Sequence, residues 1–462
     1  MRTKVNLLFV ALVCVLIIWQ LFVPPALSVA NDNDFQKLAG RYCLGPLPGT
    51  APVLFDYTSL HWYFSPGACI KWRVRALGEG ALGIAMGLNR MFTSRVEFDM
   101  RWMGFVYGAI FLAGFVYLQR ALSSQRLAVS MAAQAAYVLV VCNAVYIPWL
   151  NTFYFDALTF ASLTGAIAGL GLVAIGSRVD AVTLLTASGW LALVAGSKSQ
   201  HTPIALLGIP IFWLALGRRQ FAPLWARAAA TVVVLAAAAI SLGTIPAGYA
   251  GQTPFNALFY RMLPSVPNPG KYLAETGIPP SWVQYVGYHA FRADSPIADE
   301  ETQMRFAGWF GPSDLIRFYL RHPGLAWGVA KVNLYEASID RLRMKDGNRE
   351  HRLGNYEEST GKKPQALSNF FCVWPVVKHA IISGRPRVFL AWIVAVIAVA
   401  WALAPRSAGM RVLLAFITAS LVVAWMIGML DGLDGGRHLT VFNFLLDLVV
   451  CADVAFAVRR LD

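Results

Sequence analysis

The chain of 462 residues is 57% hydrophobic and only 14% charged, against about 25% charged in soluble globular proteins. Its formal charge is +14, from 39 basic and 25 acidic residues, yet it has no Lys/Arg-rich block and no basic run interleaved with aromatics, which argues against a nucleic-acid partner. The long apolar runs instead describe a polytopic membrane protein, embedded in the lipid bilayer.

A run of roughly 20 apolar residues crosses a bilayer as a helix. The first such run covers 5–27, behind Arg2 and Lys4, and is too long for the apolar core of a signal peptide, although Ser28–Ala30 resembles a cleavage site. Further spans are predicted at 102–118, 127–147, 157–175, 181–195, 203–216, 228–245, 388–403, 412–430 and 439–456, about ten in all. With both termini cytoplasmic, the short cytoplasmic loops carry Arg120, Arg126, Arg178, Arg218, Arg219, Arg406 and Arg411. Arg459 and Arg460 follow in the tail, while the short outer loops hold only Lys198 and Arg437. This asymmetry obeys the positive-inside rule. It leaves two long segments outside a bacterial cytoplasmic membrane, 29–101 and 246–387. The predicted organisation is an N-terminal transmembrane module (1–245), a lid of short helices (246–387) and C-terminal transmembrane helices (388–462).

Local signals refine this picture. In the lid, Ser313 is a plausible N-cap, and His322-Pro323-Gly324 stops the helix before it. Gly165 and Gly169 form a GxxxG pair, which signals helix packing. Gly78, Gly80 and Gly83 match a dinucleotide-binding pattern, but no strand precedes them, so a turn or close packing is expected there. Cys43 and Cys69 fall in the first outer loop, where a disulfide is chemically allowed.

Ionisable groups at the edge of a bilayer are costly and need a partner or a purpose. Four polar clusters lie at helix ends, all on the outer face in this topology. The first is Asn31, Asp32, Asn33, Asp34 and Lys37. The second is Asn151, Tyr154 and Asp156; the third Lys198, Gln200 and His201; the fourth Asp431, Asp434, Arg437 and His438. Loop ends are often polar for no better reason than contact with water. Lys198 and Arg437, however, break the charge rule, and a cation at the outer interface suits an anionic lipid head group. A carboxylate beside it suits a general base. Together they outline sugar transfer from a lipid phosphate: the cations hold the phosphate while a carboxylate deprotonates the attacking hydroxyl.

The motifs ANDNDFQKLAG, LNTFYFD, GSKSQHTP, FYLRHPG, LGNYEESTG and GGRHLTVFNFLLDL, in this order from end to end, resemble those of the GT-C superfamily of polytopic glycosyltransferases. More narrowly, they resemble WsfD-type bacterial hexose transferases. The resemblance implies an all-α, GT-C-like helix bundle with two extracytoplasmic loop regions of short helices. It implies an inverting hexosyl transfer from a polyprenyl-phosphate donor to a glycan or lipid-linked acceptor, on the outer face of the membrane. Matching the first motif places the base at Asp34, with Asp32 second. The donor phosphate falls to Lys198, Gln200, His201, Arg437 and His438, and the substrate to Asn31, Lys37, Tyr154 and Asp156, the last standing where relatives have glutamate. No cofactor is expected, although two nearby acids are compatible with a divalent metal. Two other readings remain open. An O-antigen-type polymerase or ligase would use Arg341 and Arg343, and a lipid-linked glycan flippase or transporter would need broken helices at midplane.

Overall fold

The computed structural model describes residues 1–24, 26–50, 59–69, 75–214, 221–339, 353–355, 371–433 and 435–461. Helix α1 (Arg2–Leu21) leads through strand β1 (Leu27–Val29) into the short α2 (Phe35–Ala39), β2 (Leu44–Gly45) and β3 (His61–Phe64). Helix α3 (Gly78–Phe92) and β4 (Glu97–Asp99) complete the first loop region. Then come α4 (Arg101–Ala121), α5 (Leu127–Val140), α6 (Asp156–Ile175), α7 (Ala181–Ala195), α8 (Thr202–Leu206) and α9 (Leu224–Leu242). A segment of short helices follows: α10 (Tyr249–Phe255), a π-helical stretch (Asn256–Met262), α11 (Pro269–Leu273), α12 (Glu300–Trp309), α13 (Pro312–Arg321) and α14 (Pro323–Ser338). Strand β5 (Leu353–Asn355) precedes α15 (Val373–Ile382), and α16 (Pro386–Leu403), α17 (Ala408–Asp431) and α18 (Gly435–Leu461) close the chain.

Among the described residues, seven helices are long and apolar enough to cross a membrane: α1, α4, α6, α9, α16, α17 and α18. The expected count of ten is therefore not reached. The three runs that fall short are the ones predicted at 127–147, 181–195 and 203–216. Helix α5 stops at Val140, where Asn143 donates to the Val140 carbonyl (2.6 Å) and accepts from the Val145 amide (2.8 Å), so the chain turns before Pro148. Helix α7 has 15 residues and α8 only 5. The fold is not purely helical either. Strand β1 pairs antiparallel with β5, and β2, β3 and β4 form an antiparallel sheet in that order.

One large apolar core runs through the bundle, and a second core gathers Phe255, Phe259, Phe306, Phe310 and Phe318 in the short-helix segment. The segment docks on the end of α17, where the Tyr319 hydroxyl donates to the Met429 carbonyl (2.7 Å). The N-cap of α13 is Gly311, not Ser313, and the Asp314 carboxylate accepts the Gly311 amide (3.0 Å). Helix α13 does end at His322, as expected. The glycine triplet at 78–83 opens α3 rather than forming a loop. The GxxxG pair packs α6 against its neighbours: a Cβ on Gly165 would lie 2.4 Å from the Trp190 ring, and one on Gly169 would lie 2.9 Å from Ala187 Cα. Cys43 and Cys69 are disulfide-bonded, while Cys142 and Cys451 are buried and free.

Candidate active site

The stretch after β1 folds as nested side-chain turns. Asn31 Oδ1 accepts the amides of Asn33 (2.8 Å) and Phe35 (3.3 Å), and Asp32 Oδ1 accepts the Asp34 amide (3.0 Å). Short amide and carboxyl side chains commonly bond the backbone two residues on, and asparagine tolerates the left-handed φ of +84° found at Asn33. The Tyr154 hydroxyl donates to the Ala30 carbonyl (2.7 Å) and accepts the Asp32 amide (3.0 Å). Phe35 is fully buried, with its ring 4.8 Å from Tyr154 and 5.6 Å from Phe153. The turn is thus fixed from below, and both carboxylates are presented above it.

Arg437, in the first turn of α18, meets them. Its Nη1 lies 2.8 Å from Asp32 Oδ2 and 2.8 Å from Asp34 Oδ2, across about 400 residues of sequence. Its guanidinium lies over the Tyr154 ring, 5.2 Å from the centroid, a cation–π arrangement. Lys37, one turn after Asp34, pairs with Asp34 Oδ1 and lies 5.7 Å from the Tyr249 ring centroid. Burial would raise the Asp34 carboxyl, but Lys37, Arg437 and Lys198 outweigh it and hold the group well below the usual carboxylate range. Burial would likewise lower Lys37, yet the Asp34 carboxylate carries it above its ordinary value.

The other clusters join the same network. Lys198 Nζ is 3.1 and 3.2 Å from the two oxygens of Asp156, which is 2% exposed. Burial, with Arg437 nearby, lowers the Lys198 ammonium despite that partner. His201 Nε2 stands 3.6 Å from Asp156 Oδ1, and its Nδ1 is 2.7 Å from Thr159 Oγ1. Asp431 Oδ2 accepts from Gln200 Nε2 (3.0 Å) and lies 2.8 Å from His438 Nε2. The short-helix segment holds this corner, because Arg261 Nε donates to the Gly432 carbonyl. Several buried polar atoms here make no hydrogen bond within the protein: His201 Nε2, His438 Nδ1 and Gln200 Oε1.

The structure therefore gathers every site residue proposed from sequence into one connected cluster, but it redistributes their roles. Asn31 and Tyr154, proposed to touch substrate, are 4% and 1% exposed, and Asn31 Oδ1 and the Tyr154 hydroxyl hold the turn. Asp431, named in a polar cluster but given no role, joins two of them. Asp434, Arg341 and Arg343 lie outside the described residues, as do Arg218, Arg219 and most of LGNYEESTG.

Residues 1–460 match the model of the family described as the YfdI N-terminal transmembrane domain. The chain belongs to this family. No match to it was found among curated proteins or solved structures. Family and helices agree on a multi-pass membrane protein. As for a divalent ion in this member of the YfdI family, Asp32 and Asp34 already share the Arg437 guanidinium, and among the described residues no three His, Cys, Asp or Glu side chains are grouped to ligate a metal.

Proposed function

We propose that the chain is a GT-C-like inverting glycosyltransferase of the WsfD type. It moves a hexose from a polyprenyl-phosphate donor to a hydroxyl of a glycan or lipid-linked acceptor, on the outer face of the cytoplasmic membrane, with both termini inside. The observation that carries the reading is Arg437 lying between two carboxylates from the other end of the chain, with Lys198 and Asp156 beside it.

The chemistry runs as follows. Asp34, the more exposed of the two acids at 24% against 9% for Asp32, accepts the proton of the acceptor hydroxyl as that oxygen bonds to the anomeric carbon. The bond from the anomeric carbon to the phosphate oxygen breaks on the opposite side, so the configuration inverts. The donor phosphodiester carries one negative charge and the released polyprenyl phosphate gains a second. Arg437 and Lys198 stabilise that added charge as it develops, which is where fixed cations accelerate a reaction most. Asp32 shares Arg437 and orients it. His201 Nε2 and His438 Nδ1, which have no hydrogen-bond partner in the protein, offer N–H donors to the remaining phosphate oxygens.

The test is Asp34→Asn in membranes, assayed for hexose transfer from a polyprenyl-phosphate donor. Loss of a positioned base costs on the order of 10²–10⁴-fold in rate. A folded variant with unchanged kcat would remove Asp34 from the reaction.

A further inference from the structure

A second polar site lies on another face of α18. Gly436, Thr440, Asn443 and Asp447 are spaced four, three and four residues apart, so they share one stripe of the helix, and they line a cavity of about 50 Å³ closed by Tyr146, Trp374 and Lys378. Asp447 stands in the middle of an apolar span, is 1% exposed, and accepts from Tyr146 (2.7 Å) and Lys378 (3.0 Å). Lys378 also donates to Asn443 Oδ1 (3.2 Å). Such groups inside a membrane bundle are costly and mark a function by default. The indole N–H of Trp374 has no hydrogen-bond partner in the protein, although a buried one usually finds one.

We infer that this cavity binds a neutral, hydroxyl-bearing sugar ring, and that it is the acceptor's subsite. The charges decide the class of ligand. Lys378 and Asp447 balance each other, and Glu336 on the wall is paired with Arg261, so the site as a whole favours neither an anion nor a cation. What remains is a mixed set: spare acceptor positions on Asp447, a third donor on Lys378 and the donor of Trp374. A hydroxyl is donor and acceptor together, and the neighbouring hydroxyls of one sugar ring meet several such positions at once. The volume equals roughly four water-sized groups at ~10–15 Å³ each, which is the hydroxyl edge of one ring and not an oligosaccharide. The stripe begins at Gly436, the residue before Arg437, which places one end of the cavity at the same terminus of α18 as the carboxylates. Calling it the acceptor's subsite rests on the proposed transferase reading; the binding itself does not.

The experiment uses the full chain in lipid nanodiscs, labelled with 5-fluorotryptophan, the Trp374 fluorine signal being assigned by its loss in Trp374→Phe. The probes are the methyl glycosides of glucose, galactose, mannose and rhamnose, with inorganic phosphate alongside. At least one glycoside shifts the Trp374 signal saturably and phosphate does not. Thr440→Leu, which fills the cavity without touching a charge, weakens that shift at least tenfold. Silence to all four glycosides, a response to phosphate, or a shift unaffected by Thr440→Leu overturns the site. Hexose transfer measured on the same samples separates the two ideas. Binding without transfer in the wild type sinks the transferase reading and leaves the sugar site; transfer without binding sinks the sugar site alone.

Discussion

Replacing Arg437 with methionine removes the one cation common to both carboxylates while keeping a long side chain. Asp32, 9% exposed, then loses its Arg437 partner, whereas Asp34 keeps Lys37 and is 24% exposed. Breaking a buried ion pair from one side costs ~3–5 kcal/mol, because the stranded charge remains desolvated. Since half of this site is still paired and partly wet, the expected loss is about 3 kcal/mol, at the low end of that range. Most of it is the penalty of stranded charge, not the worth of the contact, so neutralising the acids as well restores stability. The triple variant Asp32→Asn, Asp34→Asn, Arg437→Met should be more stable than Arg437→Met, less whatever Lys37 loses with its Asp34 partner. The assay is the unfolding free energy by SDS titration in mixed micelles, for wild type, Arg437→Met and the triple variant. A triple variant no more stable than Arg437→Met would show that the two acids do not depend on the arginine, and the electrostatic account of the site would fall with it.

Two further predictions concern the scaffold. The Cys43–Cys69 bond closes a loop with a sequence separation of 26, so a Cys43→Ser, Cys69→Ser variant should lose about 3.5 kcal/mol on the loop-entropy estimate, seen as faster proteolysis of the first loop region; equal proteolysis with and without the bond would contradict this. Gly169→Ala should destabilise by ~1–3 kcal/mol, since its new methyl meets the backbone of Ala187, whereas Gly189→Ala, with open space around it, should stay within about 0.5 kcal/mol of wild type; thermal unfolding in detergent compares the two, and equal midpoints would refute the close approach of α6 and α7.

Why the candidate-site cluster was legible in the sequence, and the second polar site was not, has a physical reason. Asp32, Asp34, Asp156, Lys198 and Arg437 all flank apolar runs, where an ionisable group stands out against its surroundings. Which acid meets which base was not legible, because Arg437 and Asp34 are brought together only by the packing of α18 against the first turns of the chain. That Asn31 and Tyr154 also hold the turn itself was not legible, because side chains that bond the backbone and side chains that bond a ligand look alike in one dimension. Asp447 sits inside LLDLVV, and its isolation there was the available signal; its partner Lys378 lies in a segment read as part of an outer lid. The small sheets left no pattern, for strands of 2–4 residues are too short to show alternation.

On the proposed reaction, the same cations that hold Asp34 ionised also weaken it as a base, since a carboxylate stabilised by neighbouring positive charge binds a proton poorly. The anionic donor resolves the conflict. Its phosphate competes for Arg437 and Lys198, cancels part of their charge, and lets the carboxyl of Asp34 rise. The sign of the consequence is fixed. In the free enzyme Asp34 lies below its ordinary value of 3.8, so it is ionised, and its contribution to stability is complete, above about pH 4, being lost only as pH falls through the depressed value. With donor bound the group moves up, because the phosphate cancels part of the positive charge that holds it down. The acid limb of kcat/KM reports the free enzyme and that of kcat reports the complex. The kcat limb should therefore lie at the higher pH, and Arg437→Lys, which keeps the charge but loses the planar fork, should keep the order of the two limbs. Coincident limbs would mean that the donor leaves the cations on Asp34 undisturbed, and a base so firmly held could not be the group that takes the proton.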